Sequence, residues 1–202
     1  MYRFKPIFLL VFFGCAGPAS KSFILKPKKS FNELKSEFDT CNGKGSIDLT
    51  GPMQGKFSFS YKSNKDSTFL EFNDLIGRKA MLMWITDKNI IARNLIENRR
   101  YDSSEILGIF PLLSIMQPKD ITKILWGIKP DYKNKLNASE YSIKKNILIE
   151  FFYKDIKNEK EALAGITYFN KSSKQLFNID IRTRNRNNQN QSMKKVWKLL
   201  EY

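Results

Sequence analysis

Histidine is absent from the 202 residues, and cysteine occurs only at Cys15 and Cys41. The first absence removes the commonest general base and the commonest transition-metal ligand. The second leaves too few thiols for a zinc site, and a domain that keeps only Cys41 can form no internal disulfide. There is no Gly-rich phosphate loop and no Gly-x-Ser-x-Gly elbow. The acids that lie close in sequence, Glu71 with Asp74 and Glu159 with Glu161, read as solvated loop groups. No catalytic residue, metal or cofactor is therefore expected. Nor is there an apolar run of the roughly 20 residues that a membrane-spanning helix needs. Acids are scarce throughout, 20 Asp+Glu against 35 Lys+Arg, for a net charge of +15. Such a charge favours anionic partners, whether phosphate, lipopolysaccharide or an acidic protein, without choosing among them.

What is present begins with residues 1–20. Arg3 and Lys5 make a small positive head, Ile7 to Phe13 is unbroken apolar chain, and Gly14-Cys15 closes it. This is the pattern of a secretory signal, residues 1–14. A Cys directly after the cut matches the bacterial lipoprotein signal, in which Cys15 would be acylated and would hold the chain to membrane lipid. An ordinary cleaved signal would make Cys15 incidental. Removing the first 14 of 202 residues leaves 188, enough for one sizeable core, with a net charge of +13 once Arg3 and Lys5 are gone. Residues 15–29 read as a tether, with Pro18, Pro27 and four lysines beside the anchor. Ala16 leans toward the outer membrane, where an Asp would hold the protein at the inner one.

Residues 30–202 read as a single domain. Ser30-Phe31-Asn32-Glu33 is a capping box that starts a short helix with Phe31, Leu34 and Phe38 on one stripe. The period then falls to two. Lys56-Phe57-Ser58-Phe59-Ser60-Tyr61-Lys62 alternates most cleanly, and Thr68, Leu70 and Phe72 continue the apolar face. Residues 79–85 are apolar on both faces, which predicts a strand covered on both sides or facing a lid. An antiparallel meander follows through 102, interrupted by helices around Ile106, Leu107, Ile109 and Leu112 and around Ile121, Ile124 and Leu125, the second opening at Pro118 and ending at Trp126-Gly127. Strands resume at 146–153, 165–170 and 174–182. Residues 154–161 are expected as a charged loop, 182–191 as an exposed polar loop, and 193–200 as either a strand or a helix. No internal repeat is visible.

The order of these pieces resembles the LolB family of outer-membrane lipoprotein receptors: a lipobox, a short helix, a Gly-led and an aromatic strand, then Asn73-Asp74-Leu75-Ile76-Gly77, then Ile106-Leu107-Gly108-Ile109-Phe110-Pro111-Leu112 and Ile121 to Gly127. The resemblance covers about 43–130. The turn departs from the family's Asn-Pro-Leu-Gly, and Trp126 is displaced toward Gly127. The resemblance implies an open, strongly curved antiparallel sheet, an unclosed barrel, with a helical lid. It also implies a cavity for lipoprotein acyl chains received from a soluble LolA-like periplasmic carrier, and a protruding turn, Leu75 and Ile76, that inserts cargo into the outer membrane; the residues themselves fit equally well a turn folded back over the sheet end. Phe57, Phe59, Tyr61, Leu70, Phe72, Met81 and Met83 would line that cavity; Met81 and Met83 suit chains of varied shape. The same residues also fit an ordinary packed core. The expectation is a monomeric, lipid-anchored protein on the periplasmic face of the outer membrane, with no nucleic-acid partner. The alternative is an anchored envelope module whose basic surface holds lipopolysaccharide, peptidoglycan or a protein.

Overall fold

The capping box forms at the start of α1, Phe31–Glu37: the Ser30 hydroxyl accepts from Glu33 N, and the Glu33 carboxylate accepts from Ser30 N. A computed structural model describes residues 29–51, 54–131, 146–157, 159–189 and 193. The expected signal, acylated Cys15 and most of the tether lie outside these residues, as does 194–200.

Among the described residues nine strands follow: β1 Thr40–Thr50, β2 Gly55–Ser63, β3 Ser67–Asn73, β4 Lys79–Thr86, β5 Ile90–Asn94, β6 Arg99–Arg100, β7 Ile147–Ile156, β8 Glu159–Asn170 and β9 Gln175–Asn187. They form one antiparallel sheet in the order β6-β5-β4-β3-β2-β1-β9-β8-β7. The outer strands β6 and β7 do not pair with each other, so the barrel stays open. Between them run α2 Ser103–Ile109, a 3₁₀ turn Pro111–Ser114, and α3 Pro118–Leu125.

These helices lie on one face, and the sheet bends around them. The ring of Phe110 touches Phe72 of β3 at 5.9 Å and Phe177 of β9 at 5.4 Å. On a flat sheet those strands would be about 14 Å apart. Bending needs backbones that approach closely, and Gly43 supplies one such point. A side chain there would meet Thr183 O at 2.0 Å and the Tyr61 ring at 2.7 Å. β4 is covered on both sides. Met81, Met83 and Ile85 join the main core, while Leu82 and Trp84 pack with Phe69 and Met193 in a smaller cluster on the outer face.

Two expected loops are strands. Much of 154–161 belongs to the ends of β7 and β8, and the polar run 182–191 continues β9 as far as Asn187. The cause of the second is a bulge. Lys44 faces Thr183 but Gly45 faces Ile181, so Arg182 is the extra residue. A bulge shifts the phase of alternation by one. Phe177, Ile179 and Ile181 point into the core before it; beyond it, Arg184 does.

Candidate functional site

The predicted acyl-binding side chains and the predicted lid meet. Phe59, Tyr61, Leu70, Phe72, Met81 and Met83 share one cluster with Ile106, Ile109, Leu112, Ile121, Ile124 and Leu125, none above 8% exposed. Phe57 is half-buried at its margin, and Leu107 stands outward at 43% exposure. The face that the resemblance makes a hollow is covered here, its side chains packed beneath the helices as in the packed-core alternative. Phe110, Leu112 and Trp126 from the helical segment are fully buried in this cluster.

The lid is fastened unevenly. At α3 a helix of eight residues leaves its last carbonyls without partners inside the helix. The buried Arg184 donates through Nε to Leu125 O at 2.7 Å, and through Nη2 to Ile124 O at 3.3 Å and Leu163 O at 2.6 Å. Arg186 Nη2 donates to Trp126 O at 2.6 Å, and Tyr61 Oη donates to Leu125 O at 3.0 Å. Cations at a helix C-terminus also complement its dipole. Glu159 joins the two arginines, at 2.8 Å to Arg184 Nη1 and 3.1 Å to Arg186 Nη2. Gly127, at φ +88°, ends the helix, and a side chain there would press on both guanidinium groups at 2.7 Å.

A second buried chain runs from Trp126 Nε1 to Ser63 Oγ at 2.8 Å, on to Thr68 Oγ1 at 2.7 Å and to Thr122 Oγ1 at 3.0 Å. It ties α3 to β2 and β3. By contrast α2 is held by apolar contacts, by Gln175 Nε2 donating to Gly108 O at 3.2 Å, and by an exposed Arg99–Glu105 pair. Exposed pairs contribute little, about 0–1 kcal/mol. Cys41 lies fully buried beside Tyr61, and burial pushes its thiol up to about 11.

The predicted insertion turn projects. Leu75 and Ile76 are 79% and 75% exposed, the two most exposed large apolar side chains of the described residues. Asp74 sets the turn: its carboxylate accepts from Ile76 N at 3.1 Å, Arg78 N at 2.9 Å and Arg78 Nε at 2.8 Å. Gly77 closes it at φ +82°. Burial pushes the Asp74 carboxyl up, but the Arg78 bonds outweigh it and leave the group below the usual value. Its stabilising contribution is therefore complete above the ordinary Asp value of about 3.9 and is lost as pH falls through the lower folded value. Amide exchange at Ile76 and Arg78, corrected for intrinsic rates, should accelerate only at that acid end. Acceleration between pH 7 and 5 would show that Asp74 does not govern the turn.

Sequence reasoning missed a neighbour of this turn. Ile96 is 63% exposed in the β5–β6 connection, which Leu95 N joins to Ala80 O at the start of β4. Leu107 and Leu148 emerge at this same end of the sheet, and Lys56, Arg78, Lys79, Lys171 and Lys174 are exposed there. Arg184, Arg186 and Glu159 were also missed, since only the bulge turns the arginines inward.

No family model matches the chain, and no curated protein matches it. Among solved structures it is similar to a LolA superfamily protein from Nitrosomonas europaea, with a TM-score of 0.41 and 10% identity over 80% of this chain and 93% of that one.

Proposed function

We propose that this chain is an outer-membrane-anchored lipoprotein, held by acylated Cys15. It receives lipoproteins from a LolA-like periplasmic carrier, shelters their acyl chains between sheet and lid, and releases them into the bilayer. The observation that carries this reading is the Leu75–Ile76 turn: two large apolar side chains are displayed to water by a carboxylate that locks the backbone beneath them. Turns ordinarily carry Gly, Asn, Asp or Ser. An apolar tip with basic residues at its foot suits the surface of an anionic bilayer.

Cargo entry then requires the lid to move, and the fastening says how. α3 keeps its polar bonds to Arg184, Tyr61 and Ser63, while α2 and the 3₁₀ turn swing away and expose Phe72, Met81 and Met83. Each acyl methylene removed from water contributes about 0.8 kcal/mol, so one long chain offsets much of the lost lid packing. Depletion of this protein in its own cell should leave other lipoproteins stranded in the periplasm or inner membrane. Normal lipoprotein sorting after depletion would refute the delivery role.

The closed core favours a second reading, a tethered envelope module whose lid never opens. In that case acyl chains do not enter, and the Leu75–Ile76 end serves only to hold the domain against a membrane.

A further inference from the structure

At the end of the strands away from Leu75 and Ile76 there is a cavity of about 410 Å³, lined by the start of the described chain, the turn after α3, the β7–β8 hairpin and β9. Its volume falls in the usual range for small-ligand sites, about 300–1,000 Å³. The apolar part is made by Leu34, Ile128 and Leu163. Leu34 and Leu163 are core residues at 6% and 2% exposure, so this wall is fixed.

The polar part is basic. Lys29, Lys129, Lys160 and Arg186 line the cavity, against Glu159 and Glu161. The two oxygens of Glu159 are taken by Arg184 and Arg186, and Lys29 pairs with Glu37. Lys129 Nζ lies 5.0 Å from the Phe151 ring centroid, and among the described residues neither Lys129 nor Lys160 makes an ion pair. Arg186 commits Nε and Nη2 to Trp126 O and Glu159, which leaves Nη1 without a hydrogen bond among the described residues. Two ammonium groups and a guanidinium N–H are thus available beside one uncommitted carboxylate, above an apolar wall. Guanidinium and ammonium donors bind oxyanions through charge-assisted bonds. The β7–β8 hairpin also holds Glu161 at φ +47°, a conformation rare for a residue with a side chain. Such strain is often kept at binding sites.

We infer that this cavity is a binding site for a small anionic amphiphile, an oxyanion head on an apolar stem. The head meets Lys129, Lys160 and Arg186, and the stem lies along Leu34, Ile128 and Leu163. The site is separate from the closed face under the lid and does not depend on the carrier reading.

The test is titration calorimetry on the full chain with three probes: dihexanoyl phosphatidic acid below its micelle concentration, inorganic phosphate, and dihexanoyl phosphatidylcholine. The expected result is one saturable site for phosphatidic acid, at least tenfold tighter than for either other probe. In the double variant Lys129→Gln, Lys160→Gln that affinity should fall at least tenfold; both positions are exposed, so folding is unaffected. Equal affinity for inorganic phosphate would reduce the site to a free-anion site, and equal affinity for phosphatidylcholine would remove the charge from it. Either result overturns the inference, as does the absence of binding or an unchanged affinity in the double variant.

Discussion

Arg184→Met is expected to lower folding stability by about 2–4 kcal/mol, chiefly from buried carbonyls left without a donor, since Glu159 is 28% exposed and water reaches it. The methionine fills much of the same volume, so the loss isolates the polar role. Without the guanidinium, Leu163 O loses a side-chain donor, Ile124 O keeps only Gly127 N, and Glu159 keeps only Arg186. Each buried polar group left unsatisfied costs about 1–3 kcal/mol. Arg186→Met should cost clearly less, because that side chain is 18% exposed and water reaches it. Arg184→Lys should recover only part of the loss, since an ammonium cannot reach three carbonyls and a carboxylate in the geometry of the planar fork. Urea denaturation of the three variants measures the order. A loss under 1 kcal/mol for Arg184→Met would mean that the α3 terminus is not held by this residue.

The second large effect belongs to the surface. The double variant Leu75→Glu, Ile76→Glu should keep its stability within about 0.5 kcal/mol, since exposed positions away from packing tolerate substitution. Its binding to vesicles should collapse. Moving one such side chain out of water is worth about 1.5–3 kcal/mol, so losing two corresponds to a hundredfold or more in affinity. Flotation with vesicles of phosphatidylethanolamine and phosphatidylglycerol reads this directly, and lipoprotein delivery should fail in the same variant. Unchanged binding would remove Leu75 and Ile76 from the membrane end. Normal delivery despite lost binding would separate docking from transfer.

The two ends of the domain impose a geometric condition on anchoring. The described chain starts at Lys29, beside the cavity, whereas Leu75 and Ile76 lie at the far end of the strands. The 11 residues of β1 span about 35 Å. From Cys15 to Lys29 a fully extended chain reaches at most about 50 Å. The anchor proposed at Cys15 and the projecting turn are therefore able to engage one bilayer, whereas a tether of half that length would not allow it.

The fold was legible where a local period dominates. Phe57, Phe59 and Tyr61 alternating with Ser and Lys gave β2, and apolar residues on both faces of 79–85 gave a strand covered on both sides, as Met83 and Trp84 are. Ser30 with Glu33 marked the first helix correctly. Legibility ended where tertiary pairing overrides composition. Residues 182–187 are polar and read as loop, yet they pair with residues 40–44. Arg184 reads as solvated because nothing local reveals that a bulge at Arg182 turns it toward helix carbonyls. The candidate site was legible to the same degree. Which apolar side chains face inward follows from alternation, whereas a turn built of Leu and Ile is equally compatible with a projecting tip and with side chains folded back over the sheet end. Whether the helices close over the face is a matter of shape, set by Phe110 bridging β3 and β9 and by Trp126 reaching Ser63 of β2, and no spacing encodes it.

The central claim is that acyl chains enter beneath the lid by displacing α2 while α3 stays fastened. The most direct test is a methyl and amide NMR titration of the full chain with a triacylated lipopeptide. The claim predicts saturable shifts at the methyls of Met81 and Met83, with loss of exchange protection in 103–109 and retention of it in 118–125. Shifts confined to Leu75 and Ile76, with those methionine methyls unchanged at saturation, would contradict it.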